Sequence, residues 1–112
     1  MVSAENGCVV VLTTISHGTE AQTLASILVT ERLAACVNVL AEMDSTYRWK
    51  DGVESERERQ IVIKTTAARV PALEARLHEL HPYDVPEFVV LPIAGGSAKY
   101  LDWIRESTAK TG

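Results

Sequence analysis

Histidines are the first residues in this chain that could bind a metal or move a proton. His78 and His81 lie three positions apart at the end of a predicted helix, so their imidazoles could meet on one face and share a divalent cation. A structural role is the alternative, because a histidine late in a helix interacts favourably with the helix dipole. Two ligands without a third make a weak site, and the pattern favours the structural role. His17, after the first predicted strand, is interpreted as a solvated turn residue.

The loop after this helix carries a second group of candidate residues. Tyr83, Asp84 and Glu87 follow the histidines, and Lys64 stands near the end of a predicted strand. Burial could tune such carboxylates for acid-base chemistry, whereas the structural alternative is a turn held by Asp84 and a salt bridge at the strand end. Lys64, Tyr83 and Glu87 are therefore our candidate ligand cleft. With no Ser-His-Asp order and no glycine-rich phosphate loop, the sequence does not predict an enzyme.

The two cysteines, Cys8 and Cys36, are too few for a disulfide framework and are not spaced like a zinc motif. Each opens an apolar stretch, which favours a reduced thiol packed as a small hydrophobic residue. Neither is predicted to be a nucleophile.

Composition limits the class of protein. A chain of 112 residues that is 46% apolar suits one domain over 1–112, with an ordered core from about 8 to 106 and polar tails. The formal charge of -4 lacks the concentrated Lys and Arg that bind nucleic acid or anionic membranes. No apolar run approaches the roughly 20 residues that span a bilayer, and the start lacks a basic segment followed by an apolar one. We expect a cytoplasmic protein with no nucleic-acid or membrane partner.

Periodicity places these residues on elements. The run 8–15 is nearly continuous and β-branched, which predicts a buried strand, and apolar spacing predicts a helix over 19–33. Extended segments over 35–50 and 53–65 flank Asp51-Gly52, which suits a type I′ turn. At about 3.3 Å per residue each arm of this hairpin is unusually long, so its tip should project from the domain.

The second half repeats the order. Pro71 begins a second helix that Pro82 ends, 87–93 is a fourth strand, and Ser97 caps a short last helix. Two β-α-β units joined by a hairpin predict an α+β, ferredoxin-like split β-α-β sandwich with both of the first two helices on one sheet face.

The opposite sheet face has no predicted cover, although both alternating sets of strand residues are largely apolar. The strand positions concerned are Val10, Leu12, Ile61, Ile63, Val89 and Leu91. Tyr47 and Trp49 add aromatic surface far out on the hairpin, where they would serve as anchors in an oligomer. We therefore predict self-association, with Tyr47 and Trp49 at the interface.

Charges alternate along the return arm of the hairpin. Glu54, Glu56 and Glu58 alternate with Arg57 and Arg59, so the acids share one face and the bases the other. They would either pair with neighbouring chains or keep an edge soluble.

Five separated blocks resemble, in order, the CutA family of divalent-cation tolerance proteins, over about 9–104. The blocks are 31–38, 47–52, 63–66, 81–87 and 100–104. This resemblance implies a ferredoxin-like subunit in a stable homotrimer, cytoplasmic in bacteria, linked to tolerance of copper and other divalent metals. The family also resembles the trimeric PII signalling proteins in fold and assembly.

The resemblance also implies a metal site that this sequence has altered. Copper binding in some members involves a cysteine near the end of strand one and two adjacent histidines before the Pro-Tyr pair. Here Thr13 and Leu80 take two of those places, which leaves His81, with His78 one helical turn back. A single imidazole holds Cu(II) weakly, so no cofactor is certain and copper or another divalent cation is expected to bind weakly.

Two functions follow from the sequence. The first is a homotrimeric, non-enzymatic protein of the metal-tolerance type, with ligand clefts between subunits near Lys64 and the loop 81–87. The alternative is a PII-like regulatory module that binds a small molecule or anion in those clefts and signals to a partner protein.

Overall fold

The computed structural model of the protein describes residues 5–16 and 19–110. His17 lies outside the described residues, and its role as a solvated turn residue stays a prediction. Seven main elements follow one another: β1 Cys8–Ser16, α1 Ala21–Thr30, β2 Cys36–Trp49, β3 Gly52–Thr66, α2 Val70–Leu80, β4 Val89–Pro92 and α3 Ala98–Thr108. Among the described residues, every helix is too short and too polar to cross a membrane.

The four strands form one antiparallel sheet in the order β2-β3-β1-β4. β1 lies inside the sheet, between β3 and β4, which explains its near-continuous apolar sequence. This order, with one helix after β1 and one after β3, confirms the predicted α+β class and the split β-α-β arrangement of the strands. Because β4 is an edge strand, it tolerates Pro92, which cannot donate a ladder hydrogen bond.

Helices α1 and α2 cover one face of this sheet, as predicted. Buried apolar side chains from both helices pack on alternate residues of β1 and β3. The members that form the centre of this core are Val9, Val11, Ile15, Leu24, Leu28, Ile61, Ile63, Leu73 and Leu77.

The strand register corrects the predicted composition of the uncovered face. Val11 stands opposite Ile63, so Ile61 and Ile63 point to the helices and are fully buried. Val62 stands opposite Leu12 and takes their place on the other side. Side chains alternate with a period of two, so an apolar run alone could not distinguish the faces. We call the uncovered apolar set the open face: Val10, Leu12, Val62, Val89 and Leu91.

Helix α1 ends three residues before the predicted boundary. The amide of Leu33 donates to the carbonyl of Leu28, and the amide of Arg32 donates to Val29, each at 3.0 Å. This pair of bonds is a Schellman motif, with Arg32 in the left-handed conformation at φ 61°. Glycine usually occupies that position, so the end of α1 at an arginine could not be predicted from the residue type.

The hairpin turn lies one residue earlier than predicted. Trp49 pairs with Gly52, so Lys50 and Asp51 form the two-residue turn, and the positive φ, 55°, belongs to Lys50. The arms extend far beyond the helices, and the molecule measures 44 Å in one direction but only 26 and 23 Å in the others. The predicted projecting hairpin is therefore observed.

Helix α3 packs at the end of the sheet where β1 begins. Ser97 caps it, since its hydroxyl accepts a hydrogen bond from the amide of Tyr100 at 3.2 Å. Leu101 and Ile104 bury against Cys8 and Ala35 in a second, smaller cluster. Cys8 alternates with Val9, so α3 covers only this end of the face that α1 and α2 leave free.

Candidate functional site

A groove of about 720 Å³ lies between the hairpin and the loop 83–87. We call it the acidic groove, because five carboxylates line it together with aromatic side chains. Its principal lining residues are Tyr47, Trp49, Glu54, Glu56, Glu58, Gln60, Tyr83, Asp84 and Glu87.

Strand periodicity gathers the acids of the hairpin on this side. Tyr47 stands opposite Glu54, and Ser45 stands opposite Glu56, so all four share one face of the two-stranded ribbon. The glutamates therefore point into the groove because they occupy alternate positions of β3.

The bases of the same arm occupy the other face and pair within the hairpin. Arg57 contacts Glu42 at 3.1 Å and Asp44 at 3.6 Å, while Arg59 contacts Glu42 at 3.8 Å. These ion pairs are largely exposed and contribute little to stability. Both arginines lie on the opposite face of the ribbon, so the described residues that line the groove include no basic side chain from this arm.

Side-chain hydrogen bonds fasten the loop 83–87 to the sheet. The hydroxyl of Tyr83 donates to Oε2 of Glu58 at 2.7 Å, and Glu58 is only 7% exposed. Gln60 donates through Nε2 to the carbonyl of Thr13 at 2.7 Å and to Oε2 of Glu87 at 3.0 Å. Burial first, and then the hydrogen bond to Glu58, raise the pKa of Tyr83 above its usual range. The phenol is therefore a fixed, neutral donor at neutral pH.

Both ring nitrogens of His81 are engaged within the chain. Nε2 lies 2.6 Å from the carbonyl oxygen of Thr14, which can only accept, so Nε2 carries the proton. Nδ1 accepts a hydrogen bond from the amide of Tyr83 at 3.1 Å. Since the ring is buried and its one lone pair is taken, a metal could bind His81 only by displacing that amide.

The other expected metal ligands are dispersed. His78 is exposed in the last turn of α2. No second free imidazole of the described residues lies in that turn. Thr13 is buried and bonds the carbonyl of Thr14, and Leu80 packs against the main core. Within residues 5–16 and 19–110, no three His, Cys, Asp or Glu side chains are arranged to hold a metal ion.

Lys64 does not join Tyr83 and Glu87 within one chain. It is four residues beyond Gln60 along β3, a separation of roughly 13 Å at strand spacing. Its ammonium group lies 6.0 Å from the ring centroid of Tyr100, at the α3 end of the sheet. The three residues of the predicted cleft therefore occupy opposite ends of one sheet face.

Tyr47 and Trp49 lie on the groove side of the hairpin. Trp49 remains 52% exposed, so the described chain covers only about half of its surface. Hydrogen bonding to Glu56 is the main effect that raises the pKa of Tyr47.

Three structural features, two at the groove and one on α3, were not predicted from the sequence. Gln60 bridges the loop and β1, Glu58 anchors Tyr83, and the rings of Tyr100 and Trp103 lie 5.4 Å apart on the exposed side of α3. Alternation along β3 pointed to a shared face for Glu58 and Gln60, but their loop partners are more than 20 positions away in sequence.

Cys8 has the predicted packing role, whereas Cys36 is only partly buried. Cys8 is buried, and its sulfur lies 3.7 Å from the carbonyl oxygen of Leu101. Cys36 is half-buried on the edge strand β2, and both thiols are free.

The fold and the groove define a small α+β protein with a projecting hairpin, and comparison with known proteins gives its family. The family profile described as CutA1 divalent ion tolerance protein matches residues 9–107. The chain belongs to this family, as the sequence blocks predicted.

Relatives and solved structures agree with that assignment. The divalent-cation tolerance protein CutA of Thermus thermophilus is 50% identical over 99 residues, which cover 88% of this chain and 96% of that protein. The Escherichia coli protein of the same name (strain HS) is 39% identical over 94% of each chain. The solved structure of CutA1 from Oryza sativa superposes with a TM-score of 0.88 at 38% identity, covering 93% of this chain and 95% of that one.

Proposed function

We propose that this chain is a homotrimeric divalent-cation tolerance protein that takes part in the response to metal ions without catalysing a reaction. The observation that carries the proposal is the open face. An apolar face that α1 and α2 leave uncovered needs a partner. A second copy of the chain is the simplest partner, because it requires no other protein.

The open face is apolar across three strands. Val10 pairs with Leu91, and Leu12 pairs with both Val62 and Val89, so the five side chains form a continuous patch. Val89 and Leu91 are nearly half exposed in a single chain. Trp49 extends this exposed surface along the hairpin, which supports an assembly that buries both. The number of subunits, three, comes from the family resemblance.

Assembly also offers a way to complete the predicted ligand cleft. Lys64 lies too far along β3 to reach Tyr83 and Glu87 of its own chain. In a ring of subunits, Lys64 of one copy would approach the Tyr83 and Glu87 of the next. We propose that the ligand cleft lies at this junction between subunits.

Charge distinguishes the two functions that the sequence left open. The described residues that line the acidic groove include five carboxylates and no Lys, Arg or His. Such a lining favours cations over anions. The tolerance function therefore fits the groove better than an anion-binding regulatory module, which would depend on Lys64 of the neighbouring subunit. The free thiols suit a reducing compartment, and we propose the cytoplasm.

Light scattering on a sizing column tests the assembly. We expect a particle of about three times the subunit mass of 12.3 kDa at micromolar concentration. A monomer at that concentration would contradict both the trimer and the cleft between subunits.

Copper titration tests the metal part of the proposal. We propose weak binding led by His81, because the metal must displace the Tyr83 amide from Nδ1. Calorimetry should show no saturating binding at micromolar protein, and the weak signal should disappear in His81→Ala. Cys8→Ser, which alters a buried thiol, is the matched control and should change nothing. Tight binding that survives the loss of His81 would place the metal elsewhere.

A further inference from the structure

We infer that Tyr83 is a latch that closes the cation site at His81, and that a cation binds there only when the latch opens. The closed latch is the state in which Tyr83 is hydrogen-bonded to both His81 and Glu58. This inference rests on the proposed binding of divalent cations at His81 and adds how that binding is regulated. Cation binding and the closed position of the loop 83–87 should therefore exclude each other.

Tyr83 masks two potential cation ligands at once. Its amide donates to Nδ1 of His81 at 3.1 Å, and its hydroxyl donates to Oε2 of Glu58 at 2.7 Å. Nδ1 holds the one lone pair of the ring that a metal could take, because Nε2 donates to the carbonyl of Thr14 at 2.6 Å. The phenol ring also packs beside the imidazole, with 4.7 Å between the ring centroids. A single displacement of Tyr83 therefore uncovers an imidazole nitrogen and a carboxylate.

Gln60 anchors the other end of the loop. Its Nε2 donates to Oε2 of Glu87 at 3.0 Å. Between the two anchors residues 84–85 are exposed, and Pro86 is the one buried residue of the loop. Few contacts therefore oppose a movement of the first half of the loop once Tyr83 is released, while the far end stays attached to β3.

The two hydrogen bonds of Tyr83 link metal binding to the position of the loop. A metal ion bonded to an imidazole nitrogen stands about 2 Å from it, which is nearer to Nδ1 than the Tyr83 amide nitrogen now lies. The amide must then move away, and this movement draws the hydroxyl of the same residue from Glu58. By linkage, the factor by which the closed latch weakens cation binding equals the factor by which a bound cation favours the open loop.

Hydrogen exchange with mass spectrometry tests the latch in the parent protein. At fixed pH, an excess of Cu²⁺ should speed exchange in the peptide that contains residues 83–87, because the Tyr83 amide loses its acceptor. The same addition should leave this peptide unchanged in His81→Ala. Mg²⁺ is the control cation, since it prefers oxygen ligands and should not compete for Nδ1. Unchanged or slower exchange of this peptide with Cu²⁺ bound at His81 would overturn the inference.

Removal of the latch hydroxyl tests the same linkage from the other side. Tyr83→Phe keeps the ring and the amide but loses the bond to Glu58, so calorimetry should show copper affinity at His81 rising about tenfold or more. Tyr47→Phe is the matched control, because Tyr47 lines the same groove and hydrogen-bonds Glu56 but belongs to the hairpin. Its affinity should stay within about twofold of the parent. The gain should vanish in the double variant Tyr83→Phe/His81→Ala, and a gain that survives would contradict the latch.

These outcomes separate the latch from the proposed function. If copper binds through His81 with equal affinity in the parent and in Tyr83→Phe, the proposed metal binding stands and the latch is wrong. If neither protein shows binding that depends on His81, the metal-binding proposal and the latch both fail. Stronger binding in Tyr83→Phe together with faster exchange of the loop in the copper-loaded parent would support the latch.

Discussion

The hydroxyl of Tyr83 donates a hydrogen bond to the carboxylate of Glu58 across 2.7 Å, which joins the loop after α2 to the base of the hairpin. Glu58 is buried, and a buried carboxylate needs donors to replace water. The same contact that shapes one wall of the acidic groove therefore also stabilises the subunit.

Tyr83→Phe should lower the free energy of unfolding. It keeps the ring but removes the donor to Glu58, and losing a hydrogen bond to a buried charged group costs about 1.5 to 3 kcal/mol. Denaturant titration at a fixed protein concentration measures the change. Tyr100→Phe, at an exposed phenol, is the control and should be nearly neutral. Equal midpoints for all three proteins would show that the hydrogen bond adds no stability.

Stability should also depend on Tyr83 at alkaline pH. Its pKa in the folded protein is raised above the ordinary 10.0, chiefly by burial and then by Glu58. The folded chain therefore keeps a proton that the unfolded chain loses, and the contribution of Tyr83 is complete below about pH 10 and declines as the pH rises through the folded pKa. The melting temperature of the parent should fall more steeply above pH 10 than that of Tyr83→Phe. Parallel profiles would contradict this assignment.

Trp49→Ala should weaken assembly more than it disturbs the subunit fold. The side chain of Trp49 is 52% exposed in a single chain, so a neighbouring subunit can bury it. Truncating a buried aromatic side chain costs about 3 to 5 kcal/mol. Light scattering across a dilution series should show dissociation at concentrations that the parent withstands.

Fluorescence gives an independent measure of the same contact. In a Trp103→Phe background Trp49 is the only indole, and its emission should be blue-shifted and protected from iodide. Red-shifted, freely quenched emission together with an unchanged trimer in Trp49→Ala would show that the hairpin is a solvated arm.

Arg32→Gly should stabilise the protein. Arg32 has φ 61°, a conformation that costs a residue other than glycine about 1 to 2 kcal/mol. Glycine would remove this strain, but its more flexible unfolded state would offset part of the gain in stability. A net gain of about 0.5 to 1 kcal/mol is expected from thermal or denaturant unfolding. Arg32→Ala is the matched control, because it loses the same side-chain bond to Ser107 and keeps the strain. It should be no more stable than the parent.

Local patterns in the sequence were sufficient for most of the fold. The β-branched run of β1, the stripe Leu73 and Leu77 on α2, and the cap at Ser97 each depend on neighbours within a few positions. The predicted boundaries of α1 and of the hairpin turn were wrong, because residues other than glycine adopt the left-handed conformation at both places. Arg32 ends α1 and Lys50 turns the hairpin in left-handed conformations that usually signal glycine.

The amino-acid sequence by itself determined the order of strands and helices, the long hairpin and the family, and it predicted that one apolar sheet face lacks a cover. Only the tertiary structure decided which apolar residues lie on that open face, because Ile63 and Val62 differ by one step of the strand register. It also decided that His81 is held through both nitrogens and that Lys64 stands apart from Glu87. Such distances join residues far apart along the chain, so they follow from packing rather than from any local pattern.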